Sequence, residues 1–521
     1  MLKTANRYKN KLSILLTTLL LTLILGGCGG DSSNKDDVVE VDENVTETTQ
    51  TASLQSFYFL RTHNPLLTTD IYVEIEGNTL SARVNLDVPV DSLVATFKYE
   101  GAKVYVNNEE QQSDFTANDF TNTVTYTVET ENGTQKHYDV DLTVFTGLPI
   151  INIATENYQP IDSKEDYVQG TVSVRAKDSE HVMTDVEMKI RGRGNSTWFT
   201  HPKKPFQMKL EDKAEMMGMP KDKKWLFLAE YSDKTLLRNT IAFELGHISN
   251  LDWTPASTFA EVFLNGLYNG TYNITQKVEE SDNRVALGDT GYLLEIDQFD
   301  RLDADDVYFY SHNFLINIKE PELEFESDEF HYIKNLIRDF ETALHSSSFS
   351  DANTGYAKYI DIDSFIDWYL ISEITKNVDS KFFSSIYLNV MPGEKIKMGP
   401  LWDFDLAFGN TDYADSQYYY GFWVKEHTWF KRLFQDPAFV SKVQQRFAYF
   451  KDQQEYILNT IDEKANALNY AQQKNDNKWQ TIGIYVWPNA VVLDTYQEEV
   501  DHMKNWYIDR MDWLDQALNN L

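Results

Sequence analysis

Twelve residues constrain this chain more than any others: Gly399-Pro400-Leu401-Trp402-Asp403-Phe404-Asp405-Leu406-Ala407-Phe408-Gly409-Asn410. Two carboxylates, Asp403 and Asp405, stand two residues apart in a segment that is otherwise apolar and aromatic. Gly399 and Pro400 open it and Gly409 closes it. At strand-like spacing, residues i and i+2 point the same way, so both acids are expected on one side. Burying two carboxylates among such neighbours is costly unless a cation meets them. A divalent metal answers that demand, since Mg²⁺ is often held by one or two carboxylates while phosphate oxygens complete its shell. The plain alternative is a turn whose acids point into solvent.

The 521 residues are enough for two or three domains and a large core. With 81 Asp and Glu against 47 Lys and Arg, the formal charge is −34, which argues against a nucleic-acid partner, because such a partner needs a basic face. The one cysteine, Cys28, is explained by its place. Lys3, Arg7, Lys9 and Lys11 precede an apolar run from Leu12 to Leu25, which ends in Gly26-Gly27-Cys28. A transmembrane anchor needs about 20 apolar residues, and this run is shorter. It resembles a bacterial lipoprotein leader with its lipobox, which implies cleavage before Cys28, lipidation of that cysteine and an extracytoplasmic, membrane-tethered protein. In a Gram-negative cell that means the outer membrane or cell surface. No free thiol would then remain for disulfides, zinc or nucleophilic chemistry.

After residues 1–28, residues 29–52 are polar and acidic and read as a tether. Residues 53–146 alternate in short runs such as Ile71–Ile75, Leu80–Leu86, Leu93–Tyr99, Val124–Val128 and Lys136–Val144, with Asn132-Gly133 as a hairpin signal. Some seven strands in under 100 residues predict a β-sandwich, and the pattern resembles the Ig-like modules that precede other domains in surface proteins. Residues 147–521 read as one large α+β domain. Strands and a helix at Leu236–Ile248 come first. Helices at Glu329–His345 and Asp363–Lys376 follow, with Asp363 as an expected N-cap. A last helix carries Val500, Met503, Tyr507, Leu514 and Leu518 on one face.

Further motifs lie along this domain. Arg191-Gly192-Arg193-Gly194-Asn195-Ser196 puts glycines and arginines where a backbone can approach an anion. Lys203-Lys204-Pro205 leads into a strand that carries Lys209. Leu236-Leu237-Arg238-Asn239 opens the helix that carries Glu244. Asn265-Gly266, Gly291-Tyr292-Leu293-Leu294-Glu295 and Asn377-Val378-Asp379 follow. An Asp on a loop, then a strand, then Asp403 is the order in which kinases place their catalytic and metal-binding acids. Together with the Asp403 segment, these motifs resemble the spore coat protein H (CotH) kinase family over roughly residues 150–450.

The resemblance implies an atypical protein kinase that transfers the ATP γ-phosphoryl group to Ser or Thr hydroxyls of surface or coat proteins. Asp379 would orient or deprotonate the acceptor. Asp403 would hold Mg²⁺ or Mn²⁺, with Asp405 as a second ligand. Lys204, or else Lys209, would contact the ATP phosphates, with Glu244 as the lysine's helix partner. The turn carrying Arg191, Arg193, Asn195 and Ser196 would cover those phosphates. There is no His-Arg-Asp, no Walker A and no complete glycine-rich loop, and Ser384 stands where ordinary kinases carry a metal-binding Asn. The competing reading is a non-catalytic surface or polymer-binding lipoprotein that keeps the fold. A metal hydrolase lacks both His-Glu-x-x-His and Gly-x-Ser-x-Gly.

Overall fold

The computed structural model describes residues 51–86, 88–176 and 179–521. The expected leader, Cys28 and nearly all of the tether lie outside them. No helix among the described residues is long and apolar enough to cross a membrane.

The N-terminal module is all β, as its alternation predicts. A three-stranded sheet (Ile71–Tyr72, Ser53–Phe59, Thr96–Glu100) lies against a six-stranded one. The central strands of the larger sheet, Val124–Glu129 and Gln135–Val144, are joined across the expected Asn132-Gly133 turn, with Glu129 opposite Gln135. Phe57 and Phe97 of the first sheet pack on Tyr126 of the second, with centroids 5.0 and 5.7 Å apart. Among the described residues eleven strands replace the seven or so expected, because several runs break into pieces of two or three residues.

The chain leaves this module along the surface it next has to join. The Phe145 ring meets Phe263 and Tyr268 at 6.0 and 5.6 Å. The Thr146 hydroxyl donates to Glu261 at 2.6 Å. From there seven strands close into a barrel. In spatial order they are Ile150–Thr155, Val168–Arg175, Met183–Gly192, Phe206–Met216, Met219–Leu228, Leu267–Gln276 and Ser257–Leu264. Six neighbouring pairs are antiparallel. The barrel shuts where Ile150–Ile153 pairs in parallel with Glu261–Leu264. Alternate residues (Ile151, Ile153, Met188, Ile190, Met208, Trp225, Phe227, Ile274) fill its interior.

The helix Arg238–His247 packs on the outside of the barrel, where Leu226, Leu228 and Phe259 join Leu237, Ile241 and Leu245 in a second core. That core extends beneath an antiparallel sheet of five strands in the order Val307–Tyr310, Leu315–Glu320, Tyr292–Asp297, Ile386–Val390 and Lys397–Met398. Helices Asp328–His345, Ile362–Thr375, Pro437–Asp452, Gln454–Ala467, Asn469–Trp479 and Tyr496–Asn519 complete it.

Helix Ile362–Thr375 is buried on nearly every side. Its N-cap is Asp361, whose carboxylate accepts from Ser364 N at 2.8 Å; Asp363, the expected cap, stands in the first turn instead. The stripe from Val500 to Leu518 is core, as expected. Between its members Arg510 forms a wholly buried ion pair with Glu373 at 2.8 Å. Glu373 also accepts from the backbone N–H groups of Trp423, Val424 and Lys425. That network ties the last helix to the helix that delivers Asp379.

Candidate active site

The segment from Gly399 to Asn410 is not a strand. The short strand Lys397–Met398 ends just before it, and the chain then passes through turns. Asp403 adopts φ +65°, in the left-handed region that an Asp tolerates better than a bulky residue does. Two asparagines hold it there. Asn377 Nδ2 donates to the Asp403 carbonyl at 3.0 Å, and Asn239 Oδ1 accepts from Phe404 N at 2.7 Å. The carboxylates of Asp403 and Asp405 are thus brought together by a pinned loop rather than by the strand alternation expected of them. Among the described residues no donor hydrogen-bonds the Asp403 carboxylate, and the residue is exposed to solvent.

Asp379 follows the left-handed end of helix Ile362–Thr375 at Lys376 (φ +47°), two residues after the Asn377 that bonds the Asp403 carbonyl. Its carboxylate accepts from the Ser384 hydroxyl at 3.1 Å. Arg301 donates in turn to Ser384 and lies over the Phe383 ring at 4.9 Å. Burial first, and then the Asp403 charge, push the Asp379 carboxyl up to about 6, against the pull of Arg301 and Ser384. Asp379 is therefore mostly ionised at neutral pH and ready to accept a proton. Arg301 is a member of the site that no sequence motif disclosed. It comes from a short turn just after strand Tyr292–Asp297, and only the sheet brings it to Asp379.

Behind these acids lies another that sequence reasoning missed. Glu230 is buried just past the end of strand Met219–Leu228 and accepts from Asn239 and Asn273 at 3.2 Å each. Burial and the nearby Asp233 raise its carboxyl to about 8. Asp405 is held well above the usual carboxylate range by burial, then by Asp403, Glu230, Asp233 and Asp379. On the other side stands Arg193, its guanidinium over the Trp402 ring at 5.4 Å and close enough to Asp403 to oppose that acid's upward shift.

Such crowding of like charge is what a divalent cation relieves. Among the described residues no three His, Cys, Asp or Glu side chains group as a metal cage. The donors present, Asp403 and Asp405, suit Mg²⁺ or Mn²⁺ completed by oxygens from a bound phosphate.

The remaining candidates disperse. Arg191 stacks on Tyr167 at 4.7 Å on the outer face of the barrel. Asn195 accepts from Lys164 at 2.9 Å. Ser196 is exposed at the start of the short helix Ser196–Thr200. Of that turn, only Arg193 reaches the acids. Lys204 donates to the Trp198 carbonyl at 2.5 Å, and Lys209 sits between Lys189 and Lys224 across the barrel strands.

Glu244 is not the partner of either lysine. It faces the helix Gln454–Ala467, with Lys464 at 3.7 Å and Tyr456 at 3.3 Å, because the exposed side of its own helix points there. The lysine whose charge Glu230 feels is Lys203, fully buried, bonded to the Thr271 carbonyl and to Asn475 at 2.9 Å. Burial lowers its ammonium to about 7. Its neighbour Lys204 drew the sequence reading only because a lysine pair cannot be told apart without the barrel.

A family profile described as CotH kinase protein matches residues 190–514. A second, SGBP, N-terminal, matches residues 67–142 of the β module. No curated protein matches. Four chains of solved structures match. One is a crystal structure from Bacteroides thetaiotaomicron VPI-5482, provisionally described as a glycoside hydrolase. It is 12% identical and covers 55% of this chain and 87% of its own, at a TM-score of 0.16. A likeness of that quality carries no argument. The first profile does: it runs from the third barrel strand into the last helix, over more than half of the residues, and the protein belongs to the CotH kinase family.

Proposed function

We propose that this protein is an extracytoplasmic protein kinase that transfers the γ-phosphoryl group of ATP to Ser or Thr hydroxyls, tethered to a membrane through lipidated Cys28. One observation carries the reading. Asp379 and the Asp403–Asp405 turn are tied together by Asn377, which stands two residues before Asp379 and donates to the Asp403 carbonyl at 3.0 Å, and Arg193 and Arg301 are the cations whose charge these acids feel.

Phosphoryl transfer needs little covalent help from a protein and much positioning and charge neutralisation. Asp379 would accept the proton of the acceptor hydroxyl as its oxygen bonds to the γ-phosphorus. The bond from that phosphorus to the bridging oxygen breaks, and ADP leaves with the electron pair. Arg193 would meet phosphate charge from the barrel side, and Arg301 would keep Asp379 ionised and oriented. Asp403 and Asp405 would hold Mg²⁺ or Mn²⁺, which supplies neutralisation of the phosphate oxygens.

The test is incubation of the purified protein with γ-labelled ATP and either metal, beside Asp403→Ala and Asp379→Asn. Metal-dependent labelling of the protein or of casein that disappears in both variants is expected. No labelling, with no rise in Tm on adding ATP and metal, would leave a binding role for the fold.

A further inference from the structure

Beside the recess runs a ridge of exposed aromatic rings that the chemistry above does not use. Tyr413 stacks on Trp487 with planes 12° apart and centroids at 6.5 Å, and Tyr418 stacks on Tyr420 at 18° and 5.2 Å. All four are more than a third exposed. Their two loops adjoin, since Asp412 N donates to the Pro488 carbonyl at 2.9 Å and Tyr485 Oη to the Asp412 carboxylate at 2.9 Å. Stacked exposed rings on two adjoining loops, unlike single scattered rings, mark an interaction surface.

The backbone beneath the rings is fixed from inside. Lys376 Nζ donates to the carbonyls of Asp415, Tyr418 and Tyr420 at 3.1, 2.7 and 3.0 Å. Arg510 donates to those of Tyr419 and Gly421, and Trp506 to that of Gln417. Buried cations therefore hold the loop so that its carbonyls point in and its rings point out. The two loops adjoin the acids through Asn410, two residues before Asp412: its Nδ2 donates to the Asp405 carbonyl at 2.8 Å, and its Oδ1 accepts from Asn489, two residues after Trp487, at 3.0 Å.

We infer that this ridge is a carbohydrate-binding site, and that it seats the acceptor by a glycan chain so that a neighbouring hydroxyl meets Asp379. The inference rests on the kinase reading for the transfer step but not for the binding. A polypeptide docked as an added strand would need main-chain hydrogen-bond partners, and the loop's carbonyls from Asp415 to Gly421 are largely engaged inward. What the loop leaves outward is flat ring faces with phenol hydroxyls and the Asp412 carboxylate at their edges. That is the complement of a sugar ring, whose C–H face is apolar and whose rim is hydroxyl. A neutral ligand also avoids repulsion by the acids of the recess.

The experiment is calorimetric titration of the whole protein, without ATP, with maltoheptaose, cellohexaose, xylohexaose and mannohexaose. Trp487→Ala and Tyr420→Ala are run in parallel, with Tm as the check on folding. Binding of at least one oligosaccharide, weakened tenfold or more in both variants at unchanged Tm, is the expected result, and it stands even if no phosphoryl transfer is ever seen. Binding of none of the four overturns the site. So does binding that the variants leave intact. If instead the variants raise the KM for a sugar-free peptide acceptor while no oligosaccharide binds, the ridge is a polypeptide dock and the glycan is refuted.

Discussion

Asn239 is where stability and chemistry can be separated most cleanly. It is 3% exposed, and its amide serves two masters. The oxygen accepts from Phe404 N at 2.7 Å and so holds Asp403 in its left-handed turn, while the nitrogen donates to both Glu230 oxygens at 3.2 Å. Asn239→Ala leaves a buried N–H without a partner, worth about 1–3 kcal/mol, and removes a donor from a buried carboxyl, worth a similar amount. Because Asn273 still reaches Glu230, the sum should fall near 3 kcal/mol in urea unfolding. Freed of its pin, the turn at Asp403 relaxes toward ordinary φ. If Asp403 binds the metal as proposed, a shift of about 1 Å in its carboxylate costs roughly 100-fold in rate. Asn239→Asp keeps the acceptor for Phe404 N and sets a carboxylate against Glu230. It should therefore retain more of the rate than Ala while losing stability above the pH at which Glu230 ionises. The assay is labelled-phosphate transfer at saturating ATP and metal, beside the unfolding curve. An Ala variant that loses less than about 1 kcal/mol and keeps its rate would refute the claim that this side chain positions Asp403.

Three further outcomes follow from the same geometry. His201, packed on the Tyr231 ring at 5.0 Å, is lowered to about 4 by burial and by Lys204. Below pH 6.5 the unfolded chain takes up a proton that the folded one refuses, so up to about 3 kcal/mol of stability is lost between pH 6.5 and 4. His201→Phe should flatten that part of a pH series of denaturant midpoints. Replacing Arg510 by Met strands the buried Glu373 carboxylate and should cost about 3–5 kcal/mol by thermal or urea unfolding, whereas the double change with Glu373→Leu should recover part of it. Arg301→Ala should lower kcat more than it raises the KM for ATP, with partial rescue by Lys; equal changes in both would make Arg301 a nucleotide-binding residue instead.

The acids were legible because local chemistry betrays them. Asp403 and Asp405 stand in a greasy segment, and Asp379 follows a helix and precedes a strand. The expected reason for their convergence was nonetheless wrong, since a period of two describes a strand and the loop instead turns at a left-handed Asp. Long-range partners left no local mark. Arg301 and Ser384 are 83 residues apart, and Glu230 is tied to the Asp403 turn through Asn239 of helix Arg238–His247. Barrel closure was invisible for the same reason: nothing in Ile150–Thr155 names Ser257–Leu264 as its neighbour. The assignment of Lys204 and Glu244 as a pair failed on facing. Two adjacent lysines at a strand entry point to opposite sides, and a helix glutamate one step out of register greets another helix.

The seam of the barrel has a mechanical consequence. Strand Ile150–Thr155 is the first stretch of the large domain to follow the β module, and it is gripped on both edges, by Val168–Arg175 and by Ser257–Leu264. Tension entering from the N-terminal side along that strand loads its bonds in shear, so the four residue pairs of the parallel seam must yield together rather than peel one after another. Pulled from that side, the barrel would thus hold at forces that unzip a hairpin loaded from its end.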